Sequence, residues 1–148
     1  KPTPIAAIYG DVRRSLPENF IQLELLCEGK VSVQGNRILL ATLVRNLILN
    51  AAAAEPKDCM VTVRCVRQSD GIRLSVEDHG RGIPEEELSK ITEPFYRVDK
   101  SRARENGGSG LGLSICTMIA RVHNSQLEIE SCLGKGTKVW ITLKEGIS

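Results

Sequence analysis

The stretch RENGGSGLGLSICTMIARVH, residues 104–123, sets four glycines between Gly107 and Gly112 and then turns into an apolar run. A glycine-rich turn that opens a helix presents unpaired backbone N–H groups at the positive end of the helix dipole, and so suits an anion. The two commonest phosphate cradles fail here on spacing. A Walker A loop needs Lys and then Ser or Thr directly after its last glycine, whereas Gly112 is followed by Leu113 and Ser114. A dinucleotide fingerprint needs glycines at offsets of two and five. Starting from Gly108 and Gly110 the third place is Leu113, and starting from Gly110 and Gly112 it is Ile115.

Working outward, residues 93–110 read as a long loop opened by Pro94, and loops of that length in small domains are usually functional. Before it, PEEELSKI reads as a short helix with Pro84 in its first turn and acids near its positive end. CMVTVRCV (Cys59–Val66) and IRLSVED (Ile72–Asp78) alternate as strands, with QSDG as the turn between them. In NRILLATLVRNLILNAAAAEP, Leu40, Leu43, Val44, Leu47, Ile48 and Ala51 recur at three- and four-residue steps, which predicts a helix. Asn36 caps it, Pro56 stops it, and Asn46 and Asn50 stack along one edge of its apolar face. NFIQLELLCEG and KVSVQG read as a strand hairpin turning at Gly29, and the segment between Pro4 and Pro17 holds a short helix. Leu111 to Val122 is the helix that follows the glycines, and QLEIES and TKVWITL are strands joined by CLGKG. Strand pairs alternating with helices predict an α/β two-layer sandwich, a mixed and mostly antiparallel sheet with helices on one face.

The totals bound the function. At 148 residues the chain reads as a single domain, 1–148, large enough to bury its own core. A net charge of +2 and 3% aromatic residues give no support to a nucleic-acid partner. No apolar run approaches the ~20 residues of a membrane span, and no signal peptide is visible, so no membrane contact is expected of this segment. The five cysteines form no C-x-x-C pair and read as small buried thiols of a reducing compartment. A first residue of Lys1 fits a piece of a longer protein.

Four segments, NLILNA (Asn46–Ala51), DHGRGI (Asp78–Ile83), EPFYRVDKSR (Glu93–Arg102) and GGSGLGLSI (Gly107–Ile115), stand in the order of the N, first glycine, F and second glycine boxes. In this the chain resembles the ATP-binding catalytic domain of sensor histidine kinases, within the group that includes DNA gyrase and related ATPases. GKGTKVWITL is similar to the family's last strand, so the resemblance runs from about Val33 to Leu143. It implies a Bergerat-type ATP-binding fold with a lid at about 93–110 and ATP and Mg²⁺ as ligands. Asn50 is implied as the Mg²⁺ ligand, with Asn46 one turn earlier near the phosphates. A neutral amide oxygen suits an ion that keeps waters and takes other ligands from phosphate. The bland alternative is a pair of surface asparagines.

Asp78 is implied as the reader of the adenine amino group, with Gly80 and Gly82 allowing close backbone approach. An Asx turn before a glycine is the alternative. His79 reads as a solvent-side spacer. Pro94, Phe95 and Tyr96 would anchor the lid. Arg97, Lys100, Arg102 and Arg104 give it positive charge toward a triphosphate or a partner domain. The amides of Gly108, Gly110 and Gly112 would face the phosphates. Leu111, Leu113 and Ile115 read as packing residues, although the resemblance puts Leu111 among the positions at the nucleotide.

The departures from the family pattern are specific. Ala53 stands where many members carry Lys or Arg, Ala54 where an aromatic or polar residue is common, and Asn36 where an acid is usual. HNS (His123–Ser125) replaces HGG. Neither His79 nor His123 has the setting of a phosphoacceptor, so no catalytic nucleophile is expected in this segment. The resemblance implies a histidine protein kinase whose isolated domain does not autophosphorylate. Its partners would be its own dimerisation domain and a response regulator, in the cytoplasmic part of a membrane-anchored protein. Two other readings stay open: a regulatory nucleotide-binding module without kinase activity, motivated by Ala53, and a gyrase-like ATPase clamp. The clamp is disfavoured because Asn46 stands where such relatives carry a catalytic Glu.

Overall fold

A computed structural model describes residues 2–16, 22–27, 29–54, 60–80, 82 and 112–146. In chain order the elements are β1 (Pro2–Pro4), α1 (Ile5–Ser15), β2 (Gln22–Cys27), β3 (Ser32–Gln34), α2 (Arg37–Ala54), β4 (Met60–Gln68), β5 (Gly71–Asp78), α3 (Gly112–Val122), β6 (Glu128–Cys132) and β7 (Gly136–Leu143). The expected short helix at 84–91 and the loop at 93–110 lie outside the described residues.

The main sheet has five strands in the order β2-β4-β5-β7-β6, and only the β2–β4 pair is parallel. This is the mixed, mostly antiparallel sheet expected, with helices packed on one face. Period-two alternation sends Val61, Val63, Cys65, Ile72, Leu74, Val76, Ile141 and Leu143 toward those helices, where all are buried. Leu40, Leu43, Val44 and Ile48 of α2 answer them and are fully buried. Each such side chain contributes roughly 1.5–3 kcal/mol on burial. Helix α1 adds Ile5, Ile8, Tyr9 and Val12, one stripe at steps of three and four, and packs on α2. Tyr9 donates its phenol proton to Leu26 O at 2.6 Å, and burial pushes its pKa upward.

One pairing differs from expectation. β2 and β3 do not form a hairpin: β3 pairs antiparallel with β1, and β2 lies parallel to β4, with Cys27 opposite Cys65. A hairpin at Gly29 would have satisfied only these two strands. The observed pairings instead give β3 a partner in β1 and let β2 bury Leu23 and Leu25 against the core as an edge strand. The cysteines are also not uniformly buried: among the described ones Cys65 and Cys116 are buried, and Cys27 and Cys132 are exposed.

Helix boundaries follow local chemistry. Asn36 caps α2, its Oδ1 accepting from Leu39 N at 3.0 Å. An Asn caps as well as an acid, so this departure from the family pattern leaves the helix start intact. α3 ends in a Schellman motif: Ser125 N donates to Ala120 O at 2.9 Å and Asn124 N to Arg121 O at 3.0 Å. Asn124, at φ 56, takes the left-handed position that HGG would give to glycine.

Candidate functional site

The seam between α2 and α3 sets the site's geometry. Near one end, Asn36 N donates to His123 Nε2 at 3.0 Å. Further along, Cys116 Sγ donates to Leu43 O at 3.6 Å. Seven residues forward on α2 thus match seven residues back on α3, so the helices run antiparallel. Extending the match puts Asn46 level with Leu113, and Asn50, one turn or about 6 Å further, beyond Gly112, the first residue of α3. Asn46 is half-buried and Asn50 exposed, and both lie on the ridge that continues Leu43. Burial pushes the Cys116 thiol up to about 12, so the seam is held by a neutral thiol. His123 is held as one tautomer: Nε2 accepts from Asn36, and Nδ1 meets Ile119 O at 2.8 Å as donor.

Asp78 comes to the same end of the molecule. Gln34 N donates to Lys144 O at 2.9 Å, which fixes the start of α2 beside the end of β7. Leu143 pairs with Ile72 at the start of β5, and Thr137 pairs with Asp78 at its end. α2 packs on β5, and its 18 residues span about 27 Å, against about 26 Å for the 8 residues of β5. The two therefore rise together, and the second half of α2, the last residue of β5 and the first turn of α3 share one end.

Asp78 is only 6% exposed. Its Oδ1 accepts from Gly80 N at 2.9 Å, so the Asx turn weighed from the sequence is present and orients the group. His79 is exposed, as a spacer would be. Gly82 has φ 74, and a Cβ there would strike the Cys132 carbonyl. Its glycine thus meets a close-packing need at the β6–β7 turn. Gly136, at φ 122, mirrors it: a Cβ there would strike the Asp78 carbonyl and come within 2.8 Å of His79 Cα. The sequence reading missed this support, although Gly134-Lys135-Gly136 signalled it.

Leu113 packs partly buried against the core as expected. Ile115 does not: it is 38% exposed, and with Met118 at 65% and Val122 at 67% it forms an open apolar stripe along α3. Ile115 stands one turn, four residues, before the buried Ile119, and an apolar helix shows no period that marks its outer side. Arg97, Lys100, Arg102, Gly108, Gly110 and Leu111 lie outside the described residues.

Among the described residues no group of three or more His, Cys, Asp or Glu side chains could hold a metal ion. The α2 edge offers neutral amide oxygens instead. Such a donor set fits Mg²⁺, which keeps its waters and takes phosphate oxygens, and would not serve an ion that needs a protein cage.

Comparison with known proteins follows the same lines. Residues 35–147 match the family described as histidine kinase-, DNA gyrase B- and HSP90-like ATPase. The phosphate regulon sensor protein PhoR of Pseudomonas aeruginosa is 34% identical over 142 residues, covering 93% of this chain and 32% of its own length. The sensor-like histidine kinase SenX3 of Mycobacterium tuberculosis is 34% identical over 123 residues, covering 83% of this chain and 30% of its own. The chain thus spans about a third of the length of the curated relatives it matches. Among solved structures, a mycobacterial sensor histidine kinase, MprB, superposes with TM-score 0.82 at 28% identity, covering 100% of both chains.

Proposed function

Because the chain belongs to the histidine kinase-, DNA gyrase B- and HSP90-like ATPase family, as the ATP-binding domain of a sensor histidine kinase, we propose that it binds Mg–ATP and presents the γ-phosphate to a histidine on its own kinase's dimerisation helices. The reading treats residues 1–148 as one catalytic domain with a lid at about 93–110. The observation that carries it is the meeting of Asn46 and Asn50, Asp78 and the first turn of α3 at one end of the molecule.

In this reading Asp78 accepts a hydrogen bond from the adenine amino group, its orientation set by Gly80, with Gly82 beside it. Asn50 offers its amide oxygen to Mg²⁺ and Asn46 stands one turn nearer the core, beside the phosphates. Mg²⁺ supplies charge neutralisation and a fixed hold on the triphosphate. The backbone amides of Gly108, Gly110, Leu111 and Gly112, at the positive end of α3, face the phosphates. Arg97, Lys100 and Arg102 of the lid add the cationic charge that Ala53 does not provide. What the chain contributes is position and charge, since the nucleophile belongs to another domain. The open stripe Ile115, Met118 and Val122 runs along the helix that begins at the phosphates, and so suits the helical partner that must reach them. A response regulator receives the phosphoryl group downstream.

Titration with Mg–ATP, followed by calorimetry on folded chain, tests the reading. Saturable binding is expected, and Asn50→Ala should lower the affinity at least about tenfold while leaving the unfolding midpoint unchanged. A folded wild-type chain that gives no binding heat removes the proposal.

A further inference from the structure

Cys27 and Cys65 face each other in register across the parallel β2–β4 ladder. Register partners put their side chains on the same face, on strands about 4.7–4.9 Å apart. That spacing falls within the Cα separations that disulfides bridge, about 4.4–6.8 Å. Both residues are thiols, but their settings differ: Cys27 ends an edge strand and is exposed, and Cys65 is fully buried. The Cys27 S–H, a weak donor, reaches Gly29 O at 3.5 Å. Arg67 follows two residues after Cys65 on the same face, and both thiols lie within electrostatic range of its guanidinium and of the Tyr9 phenol. No other described cysteine has such a partner: Cys132 pairs with Gly136, and Cys116 lies in the α2–α3 seam.

We propose that Cys27 and Cys65 are an oxidation-gated pair, closed to a disulfide by a hydroperoxide, which staples edge strand β2 to β4. The exposed Cys27 reacts first. Its thiolate attacks a peroxide oxygen, an S–O bond forms and the O–O bond breaks. The departing oxygen takes up a proton and leaves as water or an alcohol, and Cys27 becomes a sulfenic acid. The Cys65 sulfur then attacks the Cys27 sulfur, the S–S bond forms and the S–O bond breaks. Hydroxide leaves and is neutralised by the Cys65 proton as a second water. Two thiols lose two electrons and one peroxide gains them. The buried position of Cys65 keeps it from the oxidant until Cys27 presents it, and its attack stops Cys27 from climbing to the sulfinic acid.

Limiting hydrogen peroxide, followed by alkylation and non-reducing peptide mapping of the chain, tests this. The expected product joins the Cys27 and Cys65 peptides with the loss of two hydrogens, is reversed by dithiothreitol, and forms before Cys132 is oxidised. In Cys27→Ser, a change at an exposed position, Cys65 should stay fully alkylatable after denaturation. Absence of the bond overturns the proposal. So does recovery of Cys27 as a sulfinic acid, its linkage to Cys59, Cys132 or another chain, or equal oxidation of Cys65 in Cys27→Ser.

Discussion

Gly136 holds Asp78 without touching its carboxylate. Its φ of 122 is open to few L side chains, and a Cβ would press on the Asp78 carbonyl. Gly134, two residues earlier, also has a positive φ, 79, but open space around it. The two substitutions therefore separate backbone strain from packing. Gly134→Ala should cost about 1 kcal/mol of stability, the strain alone. Gly136→Ala should cost about 2–3 kcal/mol or more and also weaken Mg–ATP binding, because the Asp78 backbone must move. Urea denaturation and nucleotide titration of both variants measure this, and equal effects at both sites would count against the packing account. The sequence displayed Asn46, Asn50 and Asp78 plainly, because spacing and motif mark them. The Gly134-Lys135-Gly136 turn is visible in the sequence, but its backbone packing on Asp78 joins residues far apart in the chain, and no local pattern names that partner.

Between elements, α1 is clasped to the start of α2 by Arg37, whose Nε and Nη2 reach Asp11 at 2.7 and 2.9 Å, and Arg14 adds a third bond at 2.6 Å. The Arg37 hydrogen bond foremost lowers the Asp11 pKa from 3.8 to about 2. A carboxylate depressed on folding adds stability that is present above its unfolded pKa and is lost as pH falls through the folded one. The stability difference between wild type and Asp11→Asn should therefore be constant above pH 3.8 and shrink toward pH 2. Added salt should reduce it at neutral pH, since the clasp lies at the surface. Denaturation at stepped pH follows it, and a difference that grows on acidification would reject the clasp. Helices of this kind were legible from their apolar steps and caps. Strand partners were not: alternation in β2 and β3 identified two strands and Gly29 a turn, but alternation is silent on which neighbour a strand takes.

At the scale of the whole molecule, three chain segments separated by tens of residues deliver their ends to one place, and the proposed acceptor must approach that end. Mixing the chain with a separately made helical hairpin carrying the cognate histidine should transfer phosphate from ATP, and the chain alone should label itself negligibly. Radiolabel on the chain in place of the hairpin would refute this division of labour. No helix among the described residues is long and apolar enough to cross a membrane. The pairings of the sheet differ in the length of chain they close. β4–β5 and β6–β7 close through short turns and cost little loop entropy. β2 and β4 are joined through β3 and α2, and β5 and β7 through a still longer segment, so both pairings cost more closure entropy. Within the main sheet the edge strand β2 pairs with β4 alone, so a bond from Cys27 to Cys65 would tie covalently a strand that a single ladder otherwise holds.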